Sequence, residues 1–205
     1  MFSGCTGLDG ILSIPAGVTY IGWNAFFMCS GLTGDLVLPE KLTGEIGVNA
    51  FTACFGLTGS LVIPKNVTRI REFAFAGCIG LTGSLTIPEG VTMIDVGAFA
   101  GCSGFTSVNN YATTPQIIDF SVFSDLTLSN ITLNVPTSSL ALYQNAAIWK
   151  EFNIAGNLTS VDEVSASDVK VVAYYSILGV KLSQEPQRGS YIVVYNNGKT
   201  EKRIK

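Results

Sequence analysis

Histidine is absent from this chain of 205 residues, which removes the commonest general base and the commonest metal ligand among side chains. Catalysis by Ser-His-Asp or Cys-His nucleophiles is therefore excluded. Carboxylate pairs are the remaining candidates, but Asp162 and Glu163 adjoin in a polar stretch, and Glu45, Glu72 and Asp95 do not occupy equivalent positions. Acid–base catalysis needs two carboxylates at a fixed separation in distinct environments. We expect no catalytic residues, no enzyme activity and no cofactor.

Charge is also scarce. Only 13% of the residues are charged and the net charge is -3, whereas about a quarter is usual for a soluble domain. The chain has no basic patch to neutralise phosphates, so we expect no nucleic-acid partner. It also has no run of 18 apolar residues, which predicts no transmembrane helix, and no cationic start typical of a signal peptide.

What the chain does have is an internal repeat, with a period of about 24 residues that is typical of solenoids. A phenylalanine recurs at Phe2, Phe26, Phe51, Phe75 and Phe99, in steps of 24, 25, 24 and 24. Each copy continues with alternating apolar residues that end in proline, such as Leu61-x-Ile63-Pro64, a pattern typical of a strand. One copy cannot bury its apolar side chains alone. We therefore predict a solenoid whose stacked coils form continuous interior columns, about 4.8 Å per coil.

Two local deviations carry their own expectations. Residues 41–46 are one residue longer than their counterparts 66–70, which predicts a small bulge. Glycine recurs at 34, 59 and 83, where we expect a positive φ just before each strand.

Cysteine occupies one repeat position in all five cases, namely Cys5, Cys29, Cys54, Cys78 and Cys102. A disulfide or metal set would be the functional interpretation. The number is odd, there is no Cys-x-x-Cys, and parallel side chains seldom reach the torsion that a disulfide needs. We expect free, buried thiols and no metal.

The repeat weakens after residue 104. Phe123 and Leu126 follow Phe99 and Cys102 at the repeat spacing, so residues 105–136 are predicted to continue the stack, with 109–115 looping out. Residues 137–152 then change period. Thr137–Ser139 offers an N-cap, and Leu140, Tyr143 and Ala147 share one helical face. We predict a short helix that caps the last coil, with Trp149 and Phe152 packing there. A ligand platform is the alternative for Trp149.

These patterns divide the chain into a solenoid with its cap (1–157), a linker (158–168) and a small module (169–205). Strands are predicted at 169–175, 180–182 and 191–195, with a hairpin turn at 196–198 before a final strand. We expect this module to resemble a small β-sandwich.

The unit L-x-x-x-L-x-I-P-x-x-V-x-x-I-x-x-x-A-F-x-x-C resembles the BspA-like (Treponema-type) leucine-rich repeat of bacterial surface proteins over residues 2–104. Residues 111–157 resemble the segment that closes such arrays. The tail, Tyr174–Lys181 followed by Gly189–Val193, is similar to the sorting domains of secreted Bacteroidetes proteins. The resemblance implies a leucine-rich repeat solenoid with a C-terminal helical cap and a small β module. It also implies a secreted or cell-surface location and a role in adhesion to host proteins.

Candidate ligand contacts are sought where equivalent positions vary between coils, because the constant positions build the core. Two such positions follow each V-T-x-I segment and one lies within it. Aromatic and guanidinium groups are enriched at binding hot spots. The candidates are Tyr20, Trp23, Arg69, Arg71, Met93 and Asp95. The alternative is an ordinary solvated face with a few exposed aromatic residues.

The function indicated is that of a non-enzymatic exported binding protein, which contacts a protein or glycan ligand on another cell or on host matrix. Two alternatives stay open. One is a carbohydrate-binding accessory protein of the cell surface that uses Tyr20 and Trp23, and the other is a structural spacer that displays another domain. Because Phe2 falls in mid-repeat, we expect the array to be cut there, which leaves an open coil for self-association.

Overall fold

The computed structural model describes residues 2–158, 171–176, 181–182, 184–195 and 200–204. The chain divides into two compact units, Met1–Leu158 and Thr159–Lys205. In chain order, the strands of the first unit are β1 (Gly10–Ile11), β2 (Leu32–Asp35), β3 (Gly44–Ile46), β4 (Leu57–Val62), β5 (Val67–Ile70), β6 (Leu81–Ile87), β7 (Met93–Ile94), β8 (Phe105–Asn110), β9 (Thr132–Pro136) and β10 (Asn153–Leu158).

The first unit is a stack of coils with two parallel sheets. The larger sheet has the order β1-β2-β4-β6-β8-β9-β10 and the smaller has the order β3-β5-β7. Each regular coil places one strand in each sheet and returns through its Ala-Phe turn. Proline separates the two strands of a coil, because it has no N–H to donate to a ladder.

Phenylalanine rings form the central column of the core, as predicted. The rings of Phe26, Phe51, Phe75 and Phe99 stack in succession, with centroid distances of 5.2, 5.3 and 5.6 Å. Phe123 continues the column at 5.6 Å from Phe99, which confirms that the repeat persists beyond residue 104.

The cysteines form a second column and are free thiols, as expected. Each buried thiol donates to the backbone carbonyl of a phenylalanine in the preceding coil. The S···O distances are 3.0 Å from Cys54 to Phe26, 3.0 Å from Cys78 to Phe51 and 3.1 Å from Cys102 to Phe75. The thiol therefore satisfies a backbone acceptor in the turn, in addition to filling space.

The strands of the larger sheet begin earlier than the sequence indicates. β4 and β6 start at the leucine that follows each cysteine, so the repeated glycines lie inside the strands and not before them. Gly59 and Gly83 have φ of 82° and 84°, which confirms the expected positive φ. The register of both strands shifts at these glycines, and the register of β3 also shifts beside Gly44, within the longer copy. The predicted bulge is confirmed there.

A different glycine sets the spacing between coils, and the sequence reasoning missed it. Gly56, Gly80 and Gly104 each precede the first leucine or phenylalanine of a strand. A Cβ atom at any of them would collide with the carbonyl oxygen of the leucine one coil earlier, namely Leu32, Leu57 or Leu81. Only a residue without Cβ allows this close approach between backbones.

The expectation that residues 109–115 loop out was wrong at its start. Asn109 and Asn110 belong to β8, and only the residues after Asn110 leave the sheet. Asn109 accepts a hydrogen bond from Asn134 Nδ2 at 2.7 Å on the outer face, while Asn110 is fully buried and donates to Gln116 at 2.8 Å. Asparagine fits both positions, because its side-chain amide finds a hydrogen-bond partner on either face of the strand.

The helical segment is shorter than predicted. Thr137–Ser139 forms a 3-10 turn, and α1 covers Leu140–Asn145, so the exposed Ala147 lies beyond the helix. Ser139 occupies the N-cap position of α1, as predicted, but its hydroxyl does not cap the helix and donates to the Thr113 carbonyl at 2.8 Å instead. The larger sheet continues past this segment, since β10 pairs with β9 in parallel. Further 3-10 turns lie at Phe120–Phe123, Leu128–Asn130 and Trp149–Glu151.

The second unit contains four described strands: β11 (Val171–Ser176), β12 (Lys181–Leu182), β13 (Ser190–Tyr195) and β14 (Thr200–Ile204). They form one antiparallel sheet in the order β12-β11-β13-β14. The β13–β14 pairing is that of a hairpin, while the predicted turn at 196–198 lies outside the described residues. The predicted linker falls outside them as well, apart from Leu158, which ends β10.

No helix among the described residues combines the length and apolar character needed to cross a membrane.

Candidate functional site

The predicted ligand contacts lie on the outer face of the smaller sheet. Glu45 pairs with Arg69 in the register of β3 and β5, and Arg69 pairs with Met93 in the register of β5 and β7. Tyr20 extends this row, because its neighbour Ile21 bridges Ile46. Side chains at equivalent positions of successive coils point the same way, so the row spans about 14 Å over three coil steps.

The charged residues of this face form one connected network. Arg69 binds Asp95 in a bidentate manner, with Nε–Oδ2 at 2.9 Å and Nη2–Oδ1 at 3.2 Å. Arg71 donates from Nη1 to Glu45 at 3.0 Å and from Nε to Glu72 at 3.0 Å, and its Nε also lies 3.3 Å from Asp95. Two guanidinium groups therefore face three carboxylates, which come from three successive coils.

Two members of this network, Arg71 and Glu72, have a pKa shifted in the direction that keeps them charged. Hydrogen bonds from Arg71 to Glu45 and Glu72 raise the pKa of the Arg71 guanidinium above its usual value. The pKa of Glu72 is lowered, first by a hydrogen bond from its own backbone N–H and then by the Arg71 side chain. The guanidinium groups are thus already paired within the chain, so a ligand that contacts them competes with internal carboxylates.

Apolar side chains occupy both ends of the face. Tyr20 is 55% exposed and Trp23 is 58% exposed at one end, and Met93 is 46% exposed at the other. Gly22 leaves room for the tyrosine ring, because a Cβ at that position would lie 3.1 Å from Cε1 of Tyr20. Large exposed side chains grouped in this way are typical of interaction surfaces.

Three further apolar residues belong to the same face and were missed from the sequence. Val96 is 46% exposed, Phe120 is 75% exposed and Ile117 is 100% exposed. A signal for them was available, since Ile117 and Phe120 follow Met93 and Val96 at the repeat spacing. The loss of the repeat pattern after residue 110 hid this equivalence. We call the whole face the strip, which comprises Tyr20, Trp23, Glu45, Arg69, Arg71, Glu72, Met93, Asp95, Val96, Ile117 and Phe120.

The six predicted residues are therefore not one cluster. The structure brings Arg69, Arg71 and Asp95 into direct contact, and Met93 lies beside Arg69. Tyr20 and Trp23 lie at the far end of the strip, beyond Glu45. Trp149 is fully buried and donates from Nε1 to the Gln116 carbonyl at 2.8 Å, so it offers no exposed ring to a ligand.

The charged groups of this face are paired with one another. Its carboxylates are paired with guanidinium groups, and in the described part of the chain no three Cys, Asp or Glu residues converge as a metal site. A face of paired charges between apolar ends suits contact with another macromolecule.

The fold and this face define a class, the solenoid repeat proteins that present a variable outer face over a constant core. Within that class, the chain belongs to the BspA-type leucine-rich repeat family. The family described as "BspA type Leucine rich repeat region (6 copies)" matches residues 1–129 and 82–171. The resemblance inferred from the repeat unit is thereby confirmed, and leucine-rich repeat domains mediate protein–protein interaction as a class.

Among solved structures, the chain is similar to a leucine-rich cell surface protein from Faecalibacterium prausnitzii A2-165, with 20% sequence identity and a TM-score of 0.31. The match covers 75% of this chain and 60% of that protein's chain. A search of curated proteins found no match.

Proposed function

We propose that this protein is a non-enzymatic, exported binding protein that contacts a protein ligand through the strip, on another cell or on host matrix. The observation that carries the proposal is the exposure of apolar side chains at both ends of a network whose charges are already paired. Such an arrangement leaves burial of the two apolar ends as the main source of binding energy. Membership of the BspA-type family supports a role in adhesion at the cell surface.

The test compares binding of strip variants to immobilised matrix proteins and to whole cells. The double substitution Tyr20→Ser with Trp23→Ser removes two exposed aromatic side chains without touching the core. It should weaken binding at least about tenfold, which corresponds to about 1.4 kcal/mol. The matched control is Val37→Ser with Val62→Ser, since both valines are exposed, at 72% and 56%, with Val62 at the end of β4 and Val37 just after β2. Equal losses in the two variants would contradict the proposal.

A carbohydrate ligand is the second candidate, and the exposure of Tyr20 and Trp23, three residues apart in the chain, favours it. These two exposed aromatic rings, close together in the chain, offer flat apolar surfaces to a sugar ring. A glycan array with the purified protein separates the two candidates, because only the carbohydrate candidate predicts binding to glycans that is lost on substitution of Tyr20 and Trp23 alone. Absence of binding to proteins, cells and glycans would favour the role of a display spacer.

The segment 137–152 acts as a cap over the last coils in this proposal. Tyr143 and Trp149 are fully buried, and the ring of Trp149 lies 5.7 Å from that of Phe123, at the end of the phenylalanine column. The ring of Phe152 also packs against the ring of Phe123, with their centroids 5.2 Å apart. Large aromatic groups that cover the last ring of a column are typical of solenoid caps.

The second unit is proposed to be a sorting domain for export. Tyr191 and Val193, within the motif Gly189–Val193, are buried in its sheet, and the Tyr191 hydroxyl donates to Glu185 at 2.6 Å. The Leu178-Gly179 motif lies outside the described residues. Fusion of residues 159–205 to a reporter, expressed in a bacterium with such a secretion system, should bring the reporter to the surface or the medium. Retention of the reporter inside the cell would contradict this role.

Self-association through the first coil is the remaining part of the proposal. A cavity of about 560 Å³ there is lined by apolar side chains that include Phe2, Leu8 and Ile11, which is 80% exposed. Later coils bury the equivalents of Phe2 and Leu8, such as Phe51 and Leu32. If two copies associate there, Ile11→Asp should shift the solution mass from dimer to monomer, measured by light scattering. A mass that is monomeric for both proteins would rule this contact out.

A further inference from the structure

The outer edge of β7 borders a groove of about 570 Å³, which separates the smaller sheet from the segment 112–117. In the described part of the chain, β7 is the last strand of this sheet. The larger sheet continues for three more strands after β6, namely β8, β9 and β10. The groove therefore lies where the smaller sheet ends while the larger sheet continues.

A side chain takes the place of the missing ladder. In the preceding coil, the carbonyls of Thr68 and Ile70 accept hydrogen bonds from the backbone of Thr92 and Asp95, each at 2.9 Å. In the coil of β7, the carbonyl of Val91, which directly precedes Thr92, accepts from the Gln116 side chain, with Nε2 at 2.8 Å. A glutamine side chain is several atoms long, so the segment that carries it stands away from β7 and leaves the groove open.

The far wall of the groove is held in place by side-chain donors. Trp149 donates to the Gln116 carbonyl at 2.8 Å, Tyr143 to the Ala112 carbonyl at 2.9 Å, and Ser139 to the Thr113 carbonyl at 2.8 Å. The Asn110 side chain also donates from Nδ2 to the Gln116 Oε1 atom, at 2.8 Å. These bonds satisfy the carbonyls that have left the ladder, and they keep the groove open before any ligand binds.

The near wall is a strand edge without a backbone partner among the described residues. Because the carbonyls of Thr68 and Ile70 face β7, the same alternation turns those of Thr92 and Ile94 toward the groove. Met93 and Ile117, both exposed, line the groove from its two sides, and Glu89 supplies the charged side chain among the lining residues. The groove thus offers backbone acceptors, an apolar gap and one carboxylate.

We propose that this groove binds an extended peptide, which adds to β7 as a further parallel strand. An apolar side chain of the peptide lies between Met93 and Ile117, and a basic side chain two residues earlier lies toward Glu89, where the chain enters β7. Main-chain hydrogen bonds to a strand edge supply the affinity in this binding mode, and alternate side chains supply the selectivity. The inference deepens the proposed function, on which it rests, since Met93 and Ile117 belong to the strip.

The probe is a fluorescent peptide, acetyl-Lys-Thr-Val-Thr-Val-Thr-amide, titrated against the full chain and followed by anisotropy. Two matched peptides carry N-methyl groups on one or the other alternate set of backbone amides. Only one set faces β7 in a paired strand, so one methylated peptide should bind at least about tenfold more weakly while the other binds like the parent. Equal affinities of the two methylated peptides would overturn the proposal.

Variants of the protein test the side-chain contacts. Met93→Ser with Ile117→Ser should lower the affinity about tenfold, because the apolar gap is lost. Glu89→Gln should lower it about threefold and remove most of the salt dependence. The control pair Val37→Ser with Val62→Ser should leave the affinity unchanged. All of the substituted side chains are exposed, so the thermal midpoint is a sufficient check that each variant folds.

The results separate this inference from the proposed function. Tyr20→Ser with Trp23→Ser should weaken binding to the macromolecular ligand at least about tenfold and leave binding of the probe peptide unchanged. Ligand binding that depends on Tyr20 and Trp23, together with no distinction between the two methylated peptides, would overturn the groove alone. Probe binding without any ligand binding by the strip would contradict the proposed function and uphold the groove.

Discussion

Arg71 is the residue on which the charged part of the strip depends. It contacts Glu45, Glu72 and Asp95, which come from three successive coils, and its side chain is 21% exposed. Isolated pairs at a surface contribute little, but a guanidinium that joins three carboxylates also prevents their mutual repulsion. At this scale, a single side chain links three coils that are distant from one another in the sequence.

Replacement of Arg71 tests that linkage. We expect Arg71→Ala to lower the free energy of unfolding by about 1 kcal/mol at low ionic strength, because three carboxylates are left with Arg69 alone. The loss should shrink at about 1 M salt, where the charges are screened. Arg71→Lys is the control, since it keeps the charge but lacks the planar fork of donors. Its free energy of unfolding should fall between those of the unsubstituted protein and Arg71→Ala. Urea unfolding at both salt concentrations measures these differences.

The same network predicts a pH dependence. The pKa of Glu72 is lowered in the folded state, so the stabilisation from its charge is complete above its unfolded pKa of about 4.3. This contribution should be lost as the pH falls through the lowered folded value. In Arg71→Ala the loss should be smaller, although not absent, because the backbone hydrogen bond of Glu72 is the larger cause. Identical acid unfolding profiles for the two proteins would contradict this assignment.

The thiol column makes a separate prediction about reactivity. Burial raises the pKa of Cys54 and Cys102 to about 12, and it raises that of Cys78 as well. In the native protein at about pH 8 we expect a disulfide reagent to label Cys5 quickly, while Cys54, Cys78 and Cys102 stay unlabelled. Cys29 lies beneath the first coil and should react at an intermediate rate. All five should react in denaturant, and mass spectrometry counts the labels. Rapid labelling of every thiol in the native protein would show that the column is not sheltered.

At the scale of the element, close backbone contact governs how one coil follows another. The glycine before each strand lies against the leucine carbonyl of the preceding coil, and a Cβ there would overlap it. The strand therefore begins at the leucine directly after that glycine. Sequence patterns favour the later, alternating part of the strand because side-chain periodicity is visible there, whereas a backbone contact leaves only a glycine as its mark.

Substitution of one such glycine should be costly although alanine is a small residue. We expect Gly80→Ala to lower the free energy of unfolding by about 1–3 kcal/mol, because the backbone of Leu57 must shift to admit the Cβ. Gly17→Ala is the matched control, since a Cβ at Gly17 meets nothing within 4 Å. That substitution should be neutral or slightly stabilising. Thermal unfolding of the two variants under the same conditions makes the comparison, and similar midpoints would contradict the role assigned to Gly80.

At the scale of the whole molecule, the first unit is a one-dimensional array in which each coil contacts its two neighbours. Its stability should then depend on where along the array a contact is lost. The phenylalanine column makes this measurable, because chemically identical rings occupy the end and the middle. Phe75 is fully buried between Phe51 and Phe99, whereas Phe2 is 51% exposed and stacks on Phe26 alone among the described rings.

We therefore expect Phe75→Ala to destabilise the protein by about 3–5 kcal/mol, the usual cost of removing a buried aromatic ring. Phe2→Ala should cost less than about 1 kcal/mol, because the ring already faces solvent on one side. Equilibrium unfolding in urea, followed by tryptophan fluorescence, gives both values. Equal costs at the two positions would show that the array does not behave as stacked neighbours.

The sequence by itself determined the repeat and the residues of its core. The columns of Phe75 and Cys78 were predictable because their spacing is written in a single chain and one copy cannot bury them alone. It also determined that the second unit forms strands, because alternation and the hairpin pattern are local signals. The face that carries Tyr20 and Arg69 was predictable as well, since positions that vary between coils must point away from a constant core.

Only the tertiary structure decided which of those outward residues meet. Arg71 and Asp95 occupy equivalent positions of adjacent coils, and their contact depends on side-chain conformations that no periodicity encodes. The structure likewise revealed that the smaller sheet ends at β7, where the Gln116 side chain donates to the Val91 carbonyl. The physical reason is the same in each case: backbone periodicity fixes which positions are equivalent, but hydrogen bonds and charge pairs between coils fix what those positions do.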